Sequence, residues 1–170
     1  MHLLTLKIIT FENIMAWKTL SGGIIDDIYD HVEGIILKAI VEGTPLKVCI
    51  GADSQVYANE IEFATAIVFI RKNKGGFMLV DKESIKAKMG IKERMITEVS
   101  RSVQIAYKLA ALWDKYDIAL EVHADINTDP NFGSNVALKE AMGYILGMGY
   151  IFKAKPNAFA SSSCANKVVN

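Results

Sequence analysis

Lys47-Val-Cys-Ile-Gly-Ala-Asp-Ser-Gln55 is the stretch that decides the fold. Val48 to Ile50 form a short apolar run of the kind that makes a buried strand. The run continues through Gly51 and Ala52 into Asp53, a carboxylate placed where the strand should still be central. An ionised carboxylate in a sheet core costs several kcal/mol unless something compensates it. Two readings follow. Either the strand ends early and Asp53 lies in a solvated turn, or Asp53 holds a metal ion. A second stretch, Ile118-Ala-Leu-Glu-Val-His-Ala-Asp-Ile-Asn127, puts Asp125 in the same position and favours the metal.

Outward from this stretch, 170 residues with 51% hydrophobic content describe one domain. Its expected extent is residues 17–170, preceded by an N-terminal arm or strand over 1–16. A chain of this length buries roughly 70% of its unfolded surface, so its core needs no staples. Nineteen basic and nineteen acidic residues cancel. No global basic field gathers nucleic acid, and any polyanion site must be a local patch. Cys49 and Cys164 lie far apart without CxxC spacing and read as reduced thiols. No segment reaches the roughly 18 apolar residues of a membrane span, and the first ten residues lack the pattern of a signal peptide. These features lead to the expectation of a cytoplasmic protein with no membrane partner.

Before Lys47, Trp17 to Gly23 reads as a loop and Ile24 to Val41 as a helix, with Asp26, Asp27 and Asp30 near its positive end. After Asp53 the chain turns at Tyr57-Ala-Asn-Glu60. Phe63 to Ile70 and Phe77 to Lys82 then read as strands joined by the basic loop Arg71-Lys-Asn-Lys-Gly-Gly76. Ile91 to Lys115 reads as one long helix with an inward stripe of Met95, Val99, Val103, Ala106, Ala110 and Trp113. Glu98 lies beside this stripe, as a surface residue or as part of a site. Ile118 to Ile126 is a fourth strand, on which His123 and Asp125 share a face. Ser134 is the expected N-cap of a helix to about Leu146. Tyr150 to Lys155 is the fifth strand, and Ala158 to Val169 a final helix. Gly147-Met-Gly149 follows a helix and lacks a third glycine, so it is no dinucleotide fingerprint.

This order predicts an α/β domain. Three antiparallel meander strands and two further strands form a five-stranded mixed sheet with helices on both faces. Carboxylates from adjacent strands and a packed helix can converge on two divalent cations about 3.5–4 Å apart, an arrangement suited to phosphodiester hydrolysis. Magnesium or manganese suits an oxygen-only site. His123 is a ligand, a general acid–base group, or a core histidine with one satisfied nitrogen. Lys72, Lys74, Lys86, Lys88 and Lys92 form basic segments that are either solvated or border the acidic site and position a phosphate backbone.

Five motifs carry a resemblance: Ile50-Gly-Ala-Asp-Ser-Gln55, Glu121-Val-His-Ala-Asp-Ile-Asn127, Ser134-Asn-Val-Ala-Leu-Lys-Glu-Ala141, Gly147-Met-Gly149 and Lys155-Pro-Asn-Ala-Phe-Ala-Ser-Ser-Ser163. From Trp17 onward the chain resembles the YkuK-like family, bacterial proteins with a ribonuclease H-like fold that are predicted to be nuclease-related. The resemblance implies that Asp53 is the aspartate of the first strand. Glu98, or less well Glu93, is the glutamate of the crossover helix, and Asp125 the aspartate of the fourth strand. Nucleic acid is the implied partner. The fourth acidic position falls at Ala165-Asn166, where asparagine replaces the expected aspartate, and Asn157 is a second such replacement. An asparagine carbonyl ligates a metal but adds no charge. The resemblance therefore admits two functions: a metal-dependent nuclease, or a catalytically weakened module that binds nucleic acid or a protein.

Overall fold

The computed structural model describes residues 16–170; the arm expected over 1–16 lies, but for its last residue, outside the described residues. Its centre is a six-stranded mixed sheet in the order β1-β4-β3-β2-β5-β6. The strands are β1 (Lys18–Thr19), β2 (Leu46–Tyr57), β3 (Glu60–Arg71), β4 (Gly75–Ile85), β5 (Glu121–His123) and β6 (Ile151–Lys153). β2, β3 and β4 form the antiparallel meander, in register along its whole length. β5 joins β2 in parallel, and β6 joins β5.

The sheet has one strand more than expected. Lys18 and Thr19 pair with Val80 and Leu79, and Trp17 beside them is buried. A two-residue strand has no alternation to read. The loop expected at Trp17 to Gly23 is therefore an edge strand followed by a turn. β2 is far longer than its apolar run. It continues through Asp53, because β3 supplies an unbroken ladder to Tyr57.

Side-chain alternation sorts the core into two layers. Val48 and Ile50 of β2, with Ile67 and Phe69 of β3, pack under α1 (Ile28–Val41), α2 (Ile91–Lys108), α3 (Ala110–Lys115) and α4 (Leu138–Gly147). Cys49 of β2 and Ala64, Ala66 and Val68 of β3 face the other way, onto the C-terminal segment. That segment is a π-helical stretch, Ala160–Ala165, running into the short α5 (Asn166–Val169). Each fully buried aliphatic side chain contributes about 1.5–3 kcal/mol. Among the described residues, no helix is long and apolar enough to cross a membrane.

Three expected elements change shape for identifiable reasons. α1 starts at Ile28 rather than Ile24, because Asp27 caps it by accepting the Asp30 N–H at 3.0 Å. The long helix breaks at Leu109. There the Trp113 indole N–H donates to the Ala106 carbonyl at 2.9 Å, taking the acceptor that a continuous helix would offer to Ala110. Ser134 does not cap a helix: its hydroxyl accepts the Asn127 N–H at 3.0 Å, and a 3-10 turn, Gly133–Ala137, precedes α4.

Candidate active site

β2, β5 and β6 run parallel, with Gly51, His123 and Lys153 level across them. Two residues further along each chain lie Asp53, Asp125 and Lys155. Three of the site's charged residues thus form a row at the carboxyl ends of the parallel strands, where open α/β sheets bind ligands. Pairing between β2 and β5 stops at Gly51 and His123, so the row lies just beyond the closed ladder.

Asp53 is buried on the face of the C-terminal segment. Its Oδ2 accepts the Asn166 side-chain N–H at 2.7 Å, and its Oδ1 the Ser54 backbone N–H at 2.8 Å. Ser54, one residue on, points to the opposite face. There its hydroxyl donates to Glu98 Oε1 at 2.5 Å. Glu98 is 3% exposed. Burial drives its pKa up to about 8; the Ser54 hydroxyl and Arg94 oppose the rise, while the charges of Asp53 and Asp125 add to it. Burial also raises Asp53, against its two hydrogen bonds, and Asp125 again adds to the rise. The three carboxylates are thus one electrostatic cluster.

Two cations neutralise part of it. Arg94 Nη1 donates to the Ser54 carbonyl and hydroxyl oxygens, each at 3.0 Å, and lies 3.8 Å from Glu98 Oε1. Lys155 Nζ stands 2.9 Å from Asp125 Oδ1. This ion pair is the polar contact that Asp125 Oδ1 makes among the described residues. Sequence reasoning missed both cations as site residues. Arg94 had one signal: it stands four residues before Glu98, on the same face of α2.

His123, expected beside Asp125, engages other partners. Its Nδ1 accepts the Ala160 N–H at 3.1 Å, and its Nε2 faces Glu121 Oε2 at 3.0 Å. Because Nδ1 is an acceptor, the proton of the neutral ring sits on Nε2 and is donated to Glu121. Burial holds the His123 pKa below the ordinary value. Burial pushes Glu121 up, but the bonds from His123 and Lys47 outweigh it and leave it low. Lys47 lies 3.0 Å from Glu121 Oε1. The Cys49 thiol, 3.7 Å from Glu121 Oε2, is pushed up to about 12 by burial and that carboxylate.

Among the described residues, Cys49, Glu121 and His123 form the group of three ligand-type side chains whose donor atoms lie within 4.8 Å of one another. In the metal-free chain the His123 Nε2 proton points to Glu121 and burial keeps the thiol protonated. This group is a buried hydrogen-bond relay holding the C-terminal segment to β5. Asp53, Glu98 and Asp125 are coupled by charge but are not drawn to that spacing.

The remaining expected site residues divide by position. Asn166 reaches Asp53, while Asn157 is exposed in the turn after β6. Glu93 heads α2, and the cluster's carboxylate from that helix is Glu98. Lys72 and Lys74 do not border the acidic site. They lie in the hairpin next to Arg71, which pairs with Leu46, seven residues up β2 from Asp53. That separation is roughly 23 Å along the strand, and Lys74 pairs instead with Glu42. Lys86 and Lys88 follow Ile85, opposite Ile61, at the Asp53 end of the meander. Lys92 is in the first turn of α2, paired with Glu140 at 2.7 Å.

A protein-family model described as ribonuclease H-like matches residues 28–170. The chain is 28% identical over 148 residues to the uncharacterized protein YkuK of Bacillus subtilis (strain 168), covering 77% of this chain and 85% of that one. Among solved structures it matches LC11-RNase H1, isolated from compost by a metagenomic approach, at 15% identity and a TM-score of 0.34 over 73% of this chain and 99% of that one. With the family match spanning nearly all of the described sheet and its helices, the protein belongs to the ribonuclease H-like family and is YkuK-like within it.

Proposed function

We propose that this domain hydrolyses phosphodiester bonds of nucleic acid with a divalent cation, magnesium or manganese, held by Asp53, Glu98 and Asp125. The observation that carries the reading is the cluster itself: buried Asp53 and Glu98, both raised by burial and by the charge of part-buried Asp125 at the carboxyl ends of the parallel strands. Burial first, and neighbouring carboxylates after it, raise Asp53 and Glu98, and a cation would reverse that repulsion with its own charge. The donor set is oxygen only, which suits these ions. When bound, the ion supplies activation of a water and stabilisation of the leaving oxygen.

The chain's own residues then do the rest. Ser54 orients Glu98, and Asn166 orients Asp53. Arg94 fixes the α2 side of the cluster against the β2 backbone. Lys155 is 41% exposed on its side chain, and beside it Asn127, Thr128 and Ser162 line a cleft with Pro156. Its ammonium is placed to meet a phosphate arriving at the row. The free cysteines suit a reducing, cytoplasmic setting.

The test is a magnesium or manganese titration followed by melting temperature, with cleavage assays on single-stranded, duplex and hybrid substrates. The ion should raise the melting temperature, and Asp53→Asn should abolish most of that rise while leaving the metal-free protein at least as stable. A flat melting temperature across millimolar metal overturns the metal site and the nuclease with it. A second reading, a module that binds nucleic acid without cutting it, is favoured by one observation: Asn166 gives Asp53 an amide where the family pattern has a charge. A metal-dependent rise in melting temperature without cleavage of any substrate, but with nucleic-acid binding, selects it.

A further inference from the structure

We propose that Cys49, Glu121 and His123 form a zinc site, separate from the acidic row and independent of the function assigned to it. Parallel pairing builds the site: Cys49 is level with Glu121, and Gly51 with His123, on the sheet face that the C-terminal segment covers. Cys49 Sγ lies 3.7 Å and His123 Nε2 3.0 Å from the same Glu121 oxygen, Oε2. All three donor atoms lie within 4.8 Å of one another. Bonds of about 2.0–2.3 Å to a tetrahedral zinc set its ligand atoms roughly 3.3–3.6 Å apart, and the two measured edges bracket that range. The donor set names the ion. Thiolate, imidazole and carboxylate suit zinc, whereas magnesium takes oxygen. Thiolate and carboxylate together cancel the charge of a divalent ion, which keeps a buried place neutral. Three protein ligands leave the fourth corner to water.

The surroundings fit a ligand set. Lys47 holds the other Glu121 oxygen, Oε1, at 3.0 Å, the outer support that a ligating carboxylate usually has. Cys49 and His123 are buried, while the Glu121 side chain stays 13% exposed and gives the ion its way in. Binding exchanges bonds rather than adding to them. The thiol proton leaves to solvent. The ring proton of His123 passes from Nε2 to Nδ1, which frees the Nε2 lone pair for the ion. Nδ1 then is a donor and no longer accepts the Ala160 N–H, a bond of 3.1 Å in the metal-free chain. Zinc therefore loosens the C-terminal segment where its π-helical stretch begins, and that segment carries Asn166 to Asp53.

The experiment titrates the full metal-free chain with cobalt(II), the spectroscopic stand-in for zinc. The expected result is a thiolate-to-cobalt charge-transfer band in the near ultraviolet, abolished by added zinc. No such band at millimolar cobalt overturns the proposal and leaves the acidic row standing, because that row contains no thiol. Cys49→Ser should remove the band, and whatever manganese does to the melting temperature of the wild type it should still do to this variant. Cys164→Ser should keep the band; a band that is lost with Cys164 and kept without Cys49 overturns the assignment. Glu121→Gln should weaken cobalt binding by at least the roughly 10–100-fold that losing a supporting residue costs a metal site. Unchanged affinity there overturns the site, and this variant decides if Cys49→Ser fails to fold. Hydrogen exchange read by mass spectrometry tests His123: the peptide spanning Ala160 should exchange faster with zinc bound. Unchanged exchange on the zinc-bound chain removes His123 from the ligands, and the site with it.

Discussion

Glu98 holds its carboxyl between a serine hydroxyl and two other carboxylates, and this sets a pH dependence for the metal-free protein. Its folded pKa, about 8, lies above the ordinary 4.5. Between these values the folded chain binds a proton that the unfolded chain has released. Stability therefore falls as pH rises through that window, by an amount on the order of a few kcal/mol. Asp53, also raised, acts with the same sign. Melting temperature in metal-free buffer should fall from pH 5 to pH 8. Glu98→Gln should flatten most of that slope and be the more stable protein at pH 8; a wild-type curve that rises over this range rejects the assignment. At this scale, Asp53 and Asp125 were legible because a carboxylate in an apolar strand demands an explanation. Arg94 and Lys155 were not, because a basic residue at a helix start or a strand end is ordinarily solvated. His123, read as a ligand, an acid–base group or a core histidine, lies in its strand as expected and is buried. Its partners, Glu121 and Ala160, depend on how the C-terminal segment crosses the sheet.

The close approach of the C-terminal segment to β2 belongs to the scale of elements. A Cβ at Gly51 would lie 2.4 Å from Ser161 N and 2.6 Å from Ala160 C, both backbone atoms. Neither can swing aside as a side chain would. Gly51→Ala should therefore push the π-helical stretch off the sheet and cost about 3 kcal/mol or more, measured by urea denaturation. A loss below about 0.5 kcal/mol would show that the segment yields easily. The meander and the helices of the opposite face were readable from periodicity alone. The break at Leu109 was not, since it turns on the Trp113 indole finding the Ala106 carbonyl. The π-helical stretch was hidden for a similar reason: Ala-Ser-Ser-Ser-Cys-Ala has no periodicity that separates it from an α-helix. β5 was read as nine residues from its apolar run. Only three pair, because at one end the Ile118 N–H turns back to the Trp113 carbonyl and at the other the Ile126 N–H turns back to Ala124.

Across the whole molecule, equal numbers of acidic and basic residues leave binding to local patches. The basic residues expected to meet nucleic acid fall at opposite ends of the sheet. Lys86 and Lys88 share the end that carries Asp53, and Lys72 and Lys74 sit at the other. If nucleic acid crosses the carboxyl ends of the parallel strands, replacing Lys86 or Lys88 by alanine should weaken binding and lower the salt slope by about 1 for each phosphate left without its lysine. Lys72→Ala and Lys74→Ala should leave both unchanged. Fluorescence anisotropy across a salt series measures this, and equal effects at the two ends would remove the proposed path. The central position of β2 and the mixed sheet were legible because a continuous apolar run needs neighbours on both sides. The ends were not, because each lysine is exposed and sequence spacing does not tell which hairpin points to the site.

The carboxylates come from positions 53, 98 and 125, and the amide from position 166. The bond between Asp53 and Asn166 alone closes a loop spanning 113 positions. No short peptide from this chain contains more than one of these groups, so in the unfolded chain an ion meets them one at a time. The chelate effect arises with tertiary structure, and any affinity for the ion beyond that of a free carboxylate is free energy of folding. An ion held at this row would therefore report on the integrity of the whole domain, and a chelator would act on it as a denaturant does.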